Sequence, residues 1–206
     1  MDTLNQLFGS TAKVKTIKLF LFNPKVSFDI NDIAQKTKEP VSKIRKEIST
    51  LLKLKLIKKK TFYKQVEKKV RKKKVLKRVR VSGWLLNENF GYTIPLQAFL
   101  VTMNNLGPKD IVKKISKAGS VKFIAIAGAF IQDGESRVDL LVVGDRLKRG
   151  ILDSAVRSIE SEFGRELKYA VFETSDFEYR LNFYDKLIRD VLENPHEKIL
   201  NKLGVT

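Results

Sequence analysis

The sequence predicts an α+β protein of two domains, a basic helical domain ending in a β-hairpin (residues 1–90) and a neutral α/β domain (residues 91–206). Charge is the first observation: residues 1–86 carry 24 Lys or Arg against 6 Asp or Glu, whereas residues 87–206 carry 17 of each. Hydrophobic spacing is the second. It is helical up to Lys53, then alternates, and beyond residue 119 apolar strands alternate with helices. A neutral domain joined to a basic one indicates that the basic part binds a polyanion.

Composition excludes several kinds of site. The chain has no cysteine and one histidine, His196, which excludes disulfides, thiolate zinc sites, cysteine nucleophiles and histidine-based triads. We therefore expect no metal site and no cofactor. The N-terminus lacks an apolar signal core and no run approaches the roughly 20 apolar residues of a membrane span, so a cytoplasmic protein is expected. A membrane-surface role is a weaker alternative, because the basic residues do not line one amphipathic helix.

The first helix is expected to begin at its N-cap Ser10 and to end near Phe22. Its apolar residues Val14, Ile17 and Leu21 recur at helical spacing. The three lysines between them, Lys13, Lys15 and Lys18, are expected to face outward. A short extended piece over residues 27–30 leads to a second helix, which Asn31 is expected to cap. Lys38-Glu39-Pro40 ends it.

A third helix is predicted from Val41 to Lys53. Its buried stripe is Ile44, Ile48, Leu51 and Leu52, and its opposite face is Ser42, Lys43, Arg45, Lys46, Ser49, Thr50 and Lys53. Two short helices joined by a tight turn, the second with a basic face, form the helix-turn-helix layout, whose second helix enters the major groove. The alternative is a three-helix bundle with a solvated basic face.

Alternation of side chains from Lys74 to Leu85 predicts a β-hairpin after the third helix, in the position of a wing. Valines 75, 79 and 81 fall on one face, and Arg78, Arg80 and Ser82 on the other. Six of the seven residues from Lys68 to Lys74 are basic, and we expect this tip to contact phosphates. A helix over residues 65–79 stays open, because the tip has no Asn-Gly or Asp-Gly turn.

The segment SKIRKEISTLLKLKLIKK, a basic helix that leads into a wing, resembles the winged helix-turn-helix domains of ArsR-like transcription regulators. The resemblance implies binding of duplex DNA as a homodimer. Metal sensing by the Cys-rich branch does not carry over, since the chain has no cysteine. The expected DNA-binding residues are Ser42, Lys43, Arg45, Lys46, Ser49, Thr50, Lys53, Lys68, Lys69, Arg71, Lys72, Lys73, Lys74, Arg78 and Arg80.

The neutral half is predicted to alternate strands and helices. Helices are expected near residues 96–104, 108–118 and 152–163, the last two ending at Gly119 and Gly164. Strands are expected at VKFIAIA, RVDLLVVG and LKYAVFE. Ser175 is expected to cap one long helix that runs to about Asn194.

The segment GAFIQDGESRVDLLVVG, residues 128–144, resembles the minimal nucleotidyltransferases of the polymerase-β superfamily. Their motif is Gly-Ser, a short loop and Asp-x-Asp on a strand, where two carboxylates hold Mg²⁺ for phosphoryl transfer. Gly128 and Asp139 match, but Ala129 replaces the Ser and Arg137 replaces the first Asp. We expect Arg137 and Asp139 to share a strand face and to form an ion pair. A chance match to an ordinary strand-loop-strand is the alternative.

The sequence therefore predicts a DNA-binding transcriptional regulator with a catalytically inactive nucleotidyltransferase-like domain for dimerisation or sensing. The expected catalytic set is empty, the degenerate motif being Gly128, Ala129, Arg137 and Asp139. A protein partner of the C-terminal domain is possible in this scheme. The alternatives are a nucleotidyltransferase of toxin–antitoxin type, against which the missing carboxylate counts, and an RNA-binding protein. Single-stranded RNA would favour aromatics among the basic residues, of which only Phe62 and Tyr63 are present.

Overall fold

A computed structural model describes residues 3–70, 73–103, 106–131, 133 and 136–205, with backbone only for residues 67–70 and 73–75. The protein is of mixed α+β class, as the sequence predicts. It divides into two compact units. Unit 1 comprises residues 1–105 together with 161–165, and unit 2 comprises residues 106–160 and 166–206.

Unit 1 contains five helices and one hairpin among its described residues. The helices are α1 (Thr3–Phe8), α2 (Thr11–Leu21), α3 (Ile30–Thr37), α4 (Val41–Lys53) and α5 (Thr93–Thr102), and the hairpin strands are β1 (Ile57–Val70) and β2 (Lys73–Leu86). Fully buried Phe20, Ile33, Ile44 and Leu51 come from α2, α3 and α4 and form the centre of the core. Three helices therefore pack around one apolar centre before the hairpin begins.

The helix starts show one correct and one wrong prediction. The Ser10 hydroxyl accepts a hydrogen bond from the backbone N–H of Lys13, so Ser10 is the N-cap of α2 as predicted. Helix α3 is capped by Asp29 and not by Asn31. The Asp29 carboxylate accepts from the backbone of Asn31 and Asp32, and the Asp32 side chain accepts in return from the backbone N–H of Asp29. This reciprocal capping box begins the helix two residues earlier than an Asn31 cap would.

The lysines of α2 do not all face outward, which corrects a second prediction. Lys15 and Lys18 are 8 % and 5 % exposed. The Lys15 ammonium lies 3.0 Å from a carboxylate oxygen of Glu162. The Lys18 ammonium donates to the backbone carbonyl of Glu162. Glu162 belongs to the segment that clusters with unit 1. A distant part of the chain therefore covers positions that the periodicity of α2 would leave in solvent.

The hairpin pairs antiparallel from Ile57↔Leu86 to Val70↔Lys73 in unbroken register, which excludes the helical alternative for residues 65–79. Its two strands of 14 residues give a ribbon about 45 Å long. Near its base, Phe28 forms a bridge with Trp84. A Cβ at Gly83 would overlap the Phe28 carbonyl, so this close approach requires glycine.

Helix α5 extends unit 1 beyond the predicted domain boundary at residue 90. Leu100 is buried in the core of unit 1, with Leu96 and Phe99 packed against it. The amide of Gln97 donates to the carbonyl of Leu21 in α2. Helix α5 therefore still belongs to the first unit, and the chain passes to unit 2 only after it.

Unit 2 contains a four-stranded mixed sheet of order β5-β4-β3-β6. Its helices and strands are α6 (Pro108–Ile115), β3 (Ser120–Ile126), β4 (Leu140–Asp145), α7 (Arg149–Phe163), β5 (Tyr169–Phe172), α8 (Thr174–Asn182), α9 (Lys186–Glu193) and β6 (Glu197–Asn201). The last three residues of α7 cluster with unit 1. Strand β4 runs antiparallel to β3 and parallel to β5, and β3 pairs with β6 antiparallel. One core of this unit includes Phe123 and Leu141 of the sheet and Phe177 and Ile188 of α8 and α9.

Two predictions for unit 2 are wrong. Strand β4 begins at Leu140, so Arg137 and Asp139 precede it and do not share a strand face. The C-terminal helix from Ser175 is two helices: Glu173 is the N-cap residue of α8, and Asp185 caps α9 by accepting from Leu187 and Ile188. Between them Tyr184 adopts a positive φ of 56°, which stops a continuous helix.

Candidate nucleic-acid interface

Helix α4 has the predicted bounds and presents the predicted polar face. Ile44, Ile48 and Leu51 are buried, and Leu52 is half-buried. Six of the seven predicted reading residues are exposed: Ser42, Lys43, Arg45, Lys46, Ser49 and Lys53. Thr50 is half-buried, and its hydroxyl donates to the carbonyl of Lys46. The exposed face therefore offers two hydroxyl groups and four long cationic side chains.

Glu47, the single carboxylate of α4, is turned into unit 1. It is 7 % exposed and accepts a hydrogen bond of 2.7 Å from the Ser10 hydroxyl. The Lys13 ammonium lies 3.8 Å from its other oxygen. Its negative charge is thus used against α2 and does not oppose a polyanion at the exposed face.

Residues 41–86 contain 18 Lys or Arg and two Glu, Glu47 and Glu67. Of the charged side chains that the structure describes in this range, every exposed one is Lys or Arg. One of them is partly neutralised: the Lys43 ammonium lies 3.7 Å from Glu39. We name the other exposed cations of this segment the basic face, and they lie on α4, on the turn after it and on both sides of the hairpin: Arg45, Lys46, Lys53, Lys55, Lys58, Lys59, Lys60, Lys77, Arg78 and Arg80.

Cross-strand contacts on the hairpin position part of this face. Tyr63 pairs with Arg80, and Gln65 with Arg78, so these four side chains share one face of the ribbon. The Arg78 guanidinium lies 4.5 Å from the centre of the Tyr63 ring, a cation–π distance. Of the predicted tip, Lys68, Lys69, Lys73 and Lys74 lie on the paired strands, whereas Arg71 and Lys72 fall outside the described residues.

Lys64 is a functional position that the sequence analysis missed. It lies on the other face of β1, and its ammonium contacts the carboxylates of both Asp29 and Asp32. The hairpin is thereby tied to the capping box of α3. The residues around Lys64 carry no local signal of this pairing, since both carboxylate partners precede Lys64 by more than thirty residues.

In unit 2 the structure brings Gly128, Ala129 and Asp139 together. The backbone N–H of Ala129 donates to Asp139 Oδ1 at 2.7 Å, and that of Lys168 donates to Oδ2 at 2.8 Å. Gly128 has φ of +49°, and a Cβ on it would overlap the Asp139 carboxylate. Asp139 is only 7 % exposed. Its carboxylate, which directly precedes β4, therefore accepts from backbone N–H groups of the segment after β3 and of the residue before β5.

Arg137 lies apart from this contact. Its guanidinium makes an ion pair of 2.9 Å with Asp190 of α9, which replaces the predicted pair with Asp139. Within the described ranges no group of three His, Cys, Asp or Glu side chains could hold a metal. The two motif positions do not supply the carboxylate pair that would hold Mg²⁺: Arg137 stands at the first, and at the second Asp139 accepts backbone N–H bonds with both oxygens.

Comparisons with protein-family models, with curated proteins and with solved structures find no match to the chain. Among the helices of the described residues, none is both long and apolar enough to cross a membrane.

Proposed function

We propose that the protein is a sequence-specific, duplex-DNA-binding transcriptional regulator of the winged-helix kind. Helix α4 is the recognition helix, and the β1–β2 hairpin is the wing. The observation that carries the proposal is the basic face: its described exposed charges are all cationic, while Glu47 is turned inward. An α-helix with such a face fits the major groove, where Arg and Lys bind guanine edges and phosphates.

The arrangement of elements supports the winged-helix assignment. Helices α2, α3 and α4 pack around one core, and the hairpin follows α4 directly. The bridge from Phe28 to Trp84 adds a short third strand segment at the base of the hairpin, before α3. The turn between α3 and α4 is short, with Lys38 in the left-handed conformation at the C-cap. Three residues, 38–40, separate the two helices, a turn length that is typical of helix-turn-helix domains.

We propose that unit 2 is a nucleotidyltransferase-like domain that has lost its chemistry and serves dimerisation or sensing in a homodimer. The contact of Gly128 and Ala129 with Asp139 supports the resemblance, and the use of Asp139 as a backbone acceptor supports the loss of metal-dependent transfer. In this scheme the carboxylate that would hold a metal in an active enzyme accepts backbone N–H bonds instead.

An RNA-directed function is the second candidate, because one observation favours it. Tyr63 is 61 % exposed on the hairpin with Arg78 against its ring. An exposed aromatic beside cations is a stacking platform for the bases of a single strand. The bases of a duplex are paired and stacked on each other, so Tyr63 would have no base to stack on. The effect of replacing Tyr63 therefore distinguishes the two candidate functions.

The test is selection of bound sites from a random duplex DNA library at about 150 mM salt, where nonspecific phosphate binding is weak. We expect an enriched palindromic site, whose half-site spacing gives the geometry of the dimer. Binding without sequence enrichment would contradict the regulator. Loss of single-stranded RNA binding in Tyr63→Ala, with RNA preferred over duplex DNA by the wild type, would establish the second candidate instead.

A further inference from the structure

A cleft of about 350 Å³ lies in unit 2 between helix α7 and the edge strand β5. Gly144, near the end of β4, lies in its wall. Asp139 precedes the other end of the same strand, so the cleft and the degenerate motif lie at opposite ends of β4. The volume is at the lower end of the roughly 300–1,000 Å³ of small-molecule sites. The cleft is therefore a separate candidate site, of a size for a small ligand.

Three charged side chains line this cleft, those of Arg149, Asp153 and Glu173, and those of Arg149 and Glu173 are the two without a hydrogen-bond partner among the described residues. Arg149 is the first residue of α7, and Glu173 follows the end of β5. Both side chains are exposed, and within the part of the chain that the structure describes neither makes an ion pair. A cation and an anion that face one small space and are not neutralised by the protein favour a ligand with one charge of each sign.

The other polar pair in the cleft is already satisfied. The Tyr169 hydroxyl donates to Asp153 at 2.9 Å. This hydrogen bond, together with burial, raises the pKa of Tyr169 and keeps the hydroxyl as a neutral donor. Asp153 keeps its charge but is held on α7 by this hydrogen bond, whereas the Glu173 side chain has no such partner among the described residues, so Glu173 is the carboxylate that we assign to a cationic group. Between the charges, Leu147, Leu152 and Val171 supply an apolar wall.

We propose that this cleft binds a free amino acid with an apolar side chain. Arg149 receives the α-carboxylate, Glu173 receives the α-ammonium, and the side chain packs on Leu147, Leu152 and Val171. The proposal is independent of nucleic-acid binding, since every residue that it uses belongs to unit 2. An amino acid bound here would serve as an effector of the protein.

The test uses the full chain, with thermal shift across the twenty amino acids at millimolar concentration followed by calorimetry. Leucine and two blocked forms are the central probes: leucinamide lacks the carboxylate, and N-acetyl-leucine lacks the ammonium. We expect leucine or a close apolar relative to raise the melting temperature, and both blocked forms to bind about tenfold or more weakly.

Variants assign each charge to its residue. Arg149→Gln should weaken leucine about tenfold and remove the difference between leucine and leucinamide, while Glu173→Gln should remove the difference between leucine and N-acetyl-leucine. Arg157→Gln, on an exposed position of α7 outside the cleft, and Glu178→Gln on α8 are matched controls that should bind like the wild type. The proposal is overturned if no amino acid binds, if both cleft variants bind normally, or if leucyl-leucine binds more tightly than leucine.

Discussion

The ammonium group of Lys64 lies 2.9 Å from a carboxylate oxygen of Asp29, the N-cap of helix α3. Burial would raise the pKa of Asp29, but the N–H of Asp32 and the Lys64 ammonium bond to the carboxylate and hold that pKa below its ordinary value. Burial would likewise lower the pKa of Lys64, and the carboxylates of Asp32 and Asp29 raise it. The ion pair joins the β1–β2 hairpin to helix α3.

Replacing this lysine should therefore destabilise unit 1 in a pH-dependent way. Lys64→Met keeps the stem and removes the charge, and we expect a loss of about 1 kcal/mol in the free energy of unfolding at pH 7, since the pair is partly exposed. Asp29, with a lowered folded pKa, stabilises above its unfolded pKa of 3.8, and this stability is lost as pH falls through the folded value. Lys64 loses its contribution only as pH rises through its raised pKa, above 10.5.

Chemical denaturation at pH 7 and at pH 2.5 measures the free energy of unfolding of both proteins. The difference between wild type and Lys64→Met should shrink at pH 2.5. Lys77→Met, an exposed lysine of the same hairpin, is the matched control and should change stability little at either pH. Equal effects of the two substitutions at pH 7 would contradict the role of the ion pair.

The two sides of helix α4 should separate binding from stability. Arg45→Gln removes an exposed cation, so we expect weaker DNA binding, a salt slope smaller by about 1 and unchanged stability. Glu47→Gln changes a buried acceptor of the Ser10 hydroxyl, so we expect a loss of about 1 kcal/mol in stability and unchanged DNA affinity. Fluorescence anisotropy and thermal melts measure both quantities. The assignment of the reading face fails if Glu47→Gln impairs binding as much as Arg45→Gln does.

The wing should hold phosphates without reading sequence. If helix and wing together neutralise about 6 phosphates, log K falls with log[salt] at a slope near −5. Replacing Lys72, Lys73 and Lys74 by alanine should reduce that slope by about 2 to 3 and leave the preferred site unchanged. The triple variant of Lys109, Lys113 and Lys117, exposed lysines of unit 2, removes the same charge and should keep the slope. An unchanged slope in the wing variant would refute the assignment.

Asp139 should matter for folding and not for metal binding. Asp139→Ala removes the acceptor that the backbone N–H groups of Ala129 and Lys168 share, so we expect a loss of about 2 kcal/mol in stability. Asp110→Ala, at an exposed aspartate, is the control. Mg²⁺ should not raise the melting temperature of the wild type, and no nucleotide incorporation is expected. Mg²⁺-dependent incorporation that disappears in Asp139→Ala would show an active enzyme.

What the sequence could predict was local. The bounds of α4 follow from its amphipathic stripe and from Pro40, and the second strand of the hairpin follows from the alternation over Lys74 to Leu85. The errors arise where contacts with distant segments determine the position of a side chain. Lys15 and Lys18 contact Glu162, which covers them. Asp139 precedes β4, and its carboxylate accepts from backbone amides of two other segments. The break between α8 and α9 was missed because apolar residues continue at helical spacing through it.

The unbroken pairing of the hairpin has a consequence for local opening. Of its described side chains, Ile57 and Leu86 are buried in the core of unit 1 and Trp84 packs against it, all at the base. A two-stranded ribbon is only marginally stable by itself in water. Amide hydrogen exchange near the Ile57↔Leu86 pair should thus require global unfolding, while exchange near the Val66↔Lys77 pair should proceed through openings of much smaller free energy. A phosphate backbone bound to the hairpin would raise the opening free energy near Val66↔Lys77 towards that of the base. Increased protection of these amides from exchange would therefore report directly that nucleic acid is bound to the hairpin.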